Sequence, residues 1–88
     1  MIIEVCGPGC PRCQATEKNV LQALKELGME LGEEAMVVEI KDVKQISARG
    51  VIMTPAVVID GVKVCEGRIP SPYEVRKWIE EKKSVSNI

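Results

Sequence analysis

Apolar positions in this chain fall in short blocks whose spacing changes from one block to the next. Ile2, Ile3, Val5 and Cys6 make a brief run that stops at Gly7-Pro8-Gly9, the pattern of a buried strand followed by a tight turn. Ala15, Val20, Leu21, Leu24 and Leu27 then recur at helical spacing until Gly28 supplies a stop signal. Pro11 suits the first position of that helix, with Cys10 as its N-cap and Cys13 in its first turn. After the polar Gly32-Glu33-Glu34, the run from Ala35 to Ile40 is rich in β-branched residues and predicts a second strand. Two strands joined through a helix pair in parallel.

Asp42 with Gln45 predicts a capped short helix carrying Val43 and Ile46 and closed by Gly50. Ala56-Val57-Val58-Ile59 and Val62-Lys63-Val64-Cys65 flank Asp60-Gly61, a strong hairpin signal, so the third and fourth strands are antiparallel neighbours. Ser71-Pro72-Tyr73-Glu74 opens a last helix with Val75, Trp78 and Ile79 on one face. The order is β-α-β-α-β-β-α, an α/β chain, with residues 1–83 expected as one domain and 84–88 as a frayed tail. Spacing leaves open whether the third strand runs parallel or antiparallel to the first.

Composition narrows the function. With 88 residues there is material for one core, and without Phe that core is aliphatic. The formal charge of -1 is spread over interspersed acids and bases, which offers no footprint for nucleic acid or an anionic membrane. Glu4 interrupts the first apolar run, which is also too short for a signal peptide or a membrane span, so a cytoplasmic protein is expected. A monomer is the expected state. There is no His, so any metal site would need thiolates and carboxylates. Three of the four cysteines lie between Cys6 and Cys13, and such clustering points to a reactive site rather than to a set of staples.

Disulfide exchange needs one accessible thiolate to attack and a second thiol about one helical turn away to resolve the mixed disulfide. Cys10-Pro11-Arg12-Cys13 supplies that spacing. At a helix N-terminus Cys10 would meet unpaired backbone N–H groups and the positive end of the dipole, both favouring thiolate. Arg12 adds to this field if its side chain turns back. Cys10 is therefore the expected nucleophile and Cys13 the resolving thiol. A structural disulfide stands as the bland alternative. A soft-metal or metalloid site built on Cys6, Cys10 and Cys13 is the competing function, since thiolates suit such ions. Cys6 is either an alternate partner of the dithiol or a small buried hydrophobe. Cys65 should point away from the face of Val62 and Val64, as a passive thiol.

The strand leading into Cys10-Pro11-Arg12-Cys13, the Thr54-Pro55 pair before a later strand, the Asp60-Gly61 hairpin and the final helix together resemble the thioredoxin and glutaredoxin superfamily. The extra Cys6-Gly7-Pro8-Gly9 is similar to small microbial thioredoxin-like redox-active disulfide proteins. The resemblance implies a four-stranded mixed sheet with helices on both faces, thiol–disulfide exchange with disulfide-bearing proteins, no cofactor beyond the Cys10/Cys13 pair, and no resident metal. The expected cytoplasmic compartment points to the reducing direction, with a flavin-dependent reductase or a small thiol as electron donor. Read alone, Pro55 is an ordinary strand-entry proline; the resemblance makes the Thr54-Pro55 bond cis, facing the dithiol, with the backbone of Thr54 pairing with substrate. Glu4 matches the position of an acid that helps to move the resolving proton, against the plainer reading of a Glu paired with a Lys on a neighbouring strand. Gly9 stands where thioredoxins carry Trp, and Arg12 where glutaredoxins carry Tyr, so the substrate preference of neither is implied.

Overall fold

A computed structural model describes residues 1–86 of the chain. The elements are β1 (Ile2–Cys6), α1 (Pro11–Glu26), β2 (Met36–Ile40), α2 (Val43–Ala48), β3 (Ala56–Ile59), β4 (Val62–Glu66) and α3 (Pro72–Ser86). α3 runs past the boundary expected at residue 83, so residues 84–86 are helical, and the remainder of the expected tail lies outside the described residues.

The four strands form one mixed sheet in the order β2-β1-β3-β4. β1 pairs in parallel with β2, Ile3 opposite Val37, and antiparallel with β3, Ile3 opposite Ile59. Asp60 and Gly61 turn the β3–β4 hairpin with positive φ at both positions, +48° and +85°, the twist that matches a two-residue loop. Asp60 also accepts from the Ile2 N–H at 2.7 Å, which ties the turn to the start of β1.

Side chains alternate across the sheet, so the two faces build separate cores. Ile3, Val5, Val57 and Ile59 pack with Val20, Ala23 and Leu24 of α1 and Val75 and Ile79 of α3. On the other face Cys6, Ile40, Ala56 and Val58 meet Ile46 of α2 and the buried Val51. Helices thus cover both faces. The helix starts follow their expected chemistry. Asp42 accepts from the N–H groups of Lys44 and Gln45. The Ser71 hydroxyl accepts from the Glu74 N–H while the Glu74 carboxylate accepts from the Ser71 N–H, a reciprocal cap.

β4 departs from simple alternation. Val57 pairs with Cys65 but Val58 pairs with Lys63, which leaves Val64 as an extra residue, a β-bulge. The bulge resets the side-chain order. Cys65 is buried in the same core that Val64 packs against, so it shares the face of Val64, contrary to the alternating reading.

Candidate active site

The chain leaves β1 through Gly7, Pro8 and Gly9, with the Gly7 N–H bonded to the Ile40 carbonyl at 2.9 Å and Gly9 at φ +94°. Cys10 follows in an extended N-cap conformation, and Pro11 opens α1. These local choices place Cys10 and Cys13 on one helical turn with their sulfurs 3.0 Å apart, both free thiols.

The two thiols sit in different surroundings. Cys10 is half-buried, whereas Cys13 is 5% exposed. The Cys10 thiol is pulled below its ordinary value, chiefly by the hydrogen bond from the Cys13 thiol and then by the Cys13 backbone N–H. Burial pushes Cys13 up, and its thiol contact with Cys10 adds to the rise. A proton held on Cys13 therefore stabilises the thiolate on Cys10.

Arg12 does not turn back over Cys10. Its guanidinium donates to the Gly67 carbonyl at 3.2 Å, at the end of β4, and the field at Cys10 comes from Cys13 and the helix start instead. Gly7 has a role that the sequence reading missed: a side chain there would begin in the space held by Cys13 Sγ, with Thr54 Cβ 3.7 Å away on another side. The Thr54–Pro55 peptide is cis, and Pro55 is fully buried while Thr54 stays half-exposed. Gly7 is thus the spacer that leaves room for the Cys13 sulfur beside the end of β1.

Two candidates lie elsewhere. Glu4 points to the α2 face, where Arg49 at the end of α2 grips it with two hydrogen bonds, Nε to Oε1 at 2.9 Å and Nη2 to Oε2 at 2.7 Å. The acid is thus paired, with an Arg from a helix end rather than with the expected Lys from a neighbouring strand. Cys6 is fully buried in the α2-side core. Burial raises its thiol, and the nearby Arg49 only partly offsets this. Among the described residues no three His, Cys, Asp or Glu side chains gather as a metal site requires. A metal site of Cys6, Cys10 and Cys13 lacks its third arm, because Cys6 serves the core across the sheet. Cys65, whose thiol burial also raises, donates to the Arg68 carbonyl at 3.6 Å.

A cleft of about 60 Å³ opens beside Cys13, lined by Val5, Gly7, Gly9, Gln14, Glu17, Glu39 and Lys41. Glu39 is paired with Lys41 at 3.1 Å. The Glu17 carboxyl is raised, first by its hydrogen bond with Glu39 and then by burial. Glu17 stands one turn beyond Cys13 on α1, and helical spacing could have pointed to it. The cleft is roomy enough for a water or two beside the buried thiol.

No helix among the described residues is long and apolar enough to cross a membrane. The family described as the thioredoxin domain matches residues 1–80. A protein named thioredoxin from Methanocaldococcus jannaschii is 43% identical over 80 residues, covering 91% of this chain and 87% of that protein. Another named thioredoxin, from Methanothermobacter thermautotrophicus, is 38% identical over 77 residues, 88% of this chain and 95% of the relative.

Proposed function

The chain belongs to the thioredoxin domain family and is a thiol–disulfide oxidoreductase, and on that premise we propose how its cysteines divide the reaction. The Cys10 thiolate attacks one sulfur of a substrate disulfide and expels the other as a thiolate, which leaves a mixed disulfide on Cys10. Cys13 gives up its proton and attacks Cys10 Sγ. The Cys10–Cys13 disulfide forms, the second substrate thiolate departs, and two electrons have passed to the substrate. The observation that carries this assignment is the contrast between a half-exposed Cys10 with a lowered thiol and a buried Cys13 with a raised one, 3.0 Å apart.

The volume beside Gly7 is bounded by Cys13 Sγ on one side and the half-exposed Thr54 on another, and this nearness to the dithiol supports Thr54 as the residue whose backbone meets the substrate strand. The substrates of this reading are disulfide-bearing proteins. The oxidised pair is returned to dithiol by a flavin-dependent reductase or a small thiol in the cytoplasm, and the working unit is a monomer. No cofactor enters the cycle.

The test is capture. A Cys13→Ser variant incubated with an oxidised protein should accumulate a mixed disulfide at Cys10, and a Cys10→Ser variant should not. Equal capture by both would sink the assignment of roles.

A further inference from the structure

The bulge at Val64 has a second result on the opposite face of β4. In a regular strand Lys63 and Glu66, three residues apart, would point to opposite sides. With Val64 extra, Lys63 pairs with Val58 and Glu66 with Ala56, both residues of the α2-side core, so the two charged side chains share that face. Lys63 Nζ reaches Glu66 Oε1 at 2.9 Å and the Gly50 carbonyl at 3.0 Å. The other carboxylate oxygen, Oε2, accepts from the backbone N–H of Ile52 and, at 3.0 Å, of Met53. Lys63 and these two N–H groups hold the Glu66 carboxyl down at about 2.

The segment being gripped leads straight into Thr54. Val51 is buried before it and Pro55 after it, but Ile52 is 89% and Met53 61% exposed. Apolar packing therefore leaves Ile52 unheld and touches residue 53 only where the Met53 side chain lies over Gly67. Their N–H groups go to Glu66. Just past the end of β4, the Gly67 N–H bonds the Pro55 carbonyl at 2.9 Å, and the Gly67 carbonyl takes the Arg12 guanidinium. The end of β4 thus ties the loop before Pro55 to the helix start that carries the dithiol.

We infer that Glu66, braced by Lys63, is a positioning residue for protein substrates, holding Ile52 and Met53 outward and the Thr54 backbone beside the dithiol. This rests on the reading of Thr54 as the substrate-facing residue. Glu66 touches no reacting atom, so its effect should depend on the size of the substrate. A small disulfide needs only Cys10, whereas a protein strand must also lie along residues 52–54.

The experiment compares pre-reduced protein oxidised by insulin and by a small aryl disulfide, measuring both second-order rate constants. Glu66→Ala should lower the insulin constant about tenfold, the scale of losing charge-assisted hydrogen bonds, and leave the small-disulfide constant within about twofold. Glu66→Gln should recover part of the insulin rate, and Lys63→Met should show a smaller loss with the same selectivity. If Glu66→Ala does not fold, Lys63→Met and its Lys63→Arg rescue are read by the same criterion. Ile52→Asp separates the two readings. Slower insulin reaction in Ile52→Asp with none in the Glu66 and Lys63 variants, or equal slowing of both substrates in those variants, overturns the positioning role alone. Unchanged insulin rates in all of them overturn residues 52–54 as the docking segment.

Discussion

Gly7 and Cys13 occupy adjoining volumes so closely that a methyl group on Gly7 would overlap Cys13 Sγ. Cys13 sits in the first turn of α1 with its sulfur against Cys10, so the overlap is relieved by swinging that sulfur away from Cys10 or by moving the helix start. Gly7→Ala should destabilise the fold by ~1–3 kcal/mol, the usual cost of overpacking. It should also slow closure of the Cys10–Cys13 disulfide. Chemical denaturation and the rate of intramolecular oxidation measure the two effects; an unchanged midpoint and rate would show that the spacer is dispensable.

Cys10 and Cys13 should separate by reactivity. Because the Cys10 thiol is lowered from its ordinary 9.0, its alkylation by a small haloacetamide should reach half its maximal rate below pH 9.0. Cys13, raised and buried, should be modified only above that pH or after unfolding. Arg12→Ala should leave the Cys10 profile nearly in place, since the guanidinium is spent on Gly67. A large upward shift in that variant would restore Arg12 as the source of the field.

How far these roles can be read from sequence depends on how far apart the partners lie. The Asp60-Gly61 turn and the Ser71/Glu74 cap are written within four residues, and each forms where the local pattern places it. The direction of β3 against β1 required the family resemblance, because its connection is too long to constrain it. The bulge at Val64 depends on pairing across to Val57 and Val58, and no residue of β4 announces it, which is why the face of Cys65 was misread. Arg49 reaches Glu4 from 45 residues away, so the partner of that acid was invisible while its paired state was not.

The pairing of Glu4 with Arg49 predicts an effect on stability rather than on exchange. The carboxylate is committed on the α2 face, so Glu4→Gln should leave the pH profile of Cys10 alkylation and the rate of mixed-disulfide resolution unchanged. Arg49→Met should lower the denaturation midpoint by stranding a half-buried carboxylate. A fall in the resolution rate of Glu4→Gln, with the fold intact, would return Glu4 to the proton path.

Acid should act on the Glu66 clamp. A carboxyl held at about 2 when folded and near its ordinary 4.5 when unfolded contributes stability that is whole above 4.5 and lost as pH falls toward 2. Hydrogen exchange of the Ile52 and Met53 amides should therefore stay protected at pH 5 and lose protection in strongly acidic buffer. In Glu66→Ala both amides should exchange freely at every pH; protection that survives the substitution would assign those N–H groups to other partners.

The measurement that bears most directly on the division of labour is equilibration in glutathione buffers of graded potential, followed by differential alkylation and mass mapping of all four cysteines. Cys10 and Cys13 are expected to titrate together as one two-electron couple while Cys6 and Cys65 remain thiols throughout. Pairing of Cys6 with either residue, or joint protection of three cysteines until a chelator is added, would contradict it.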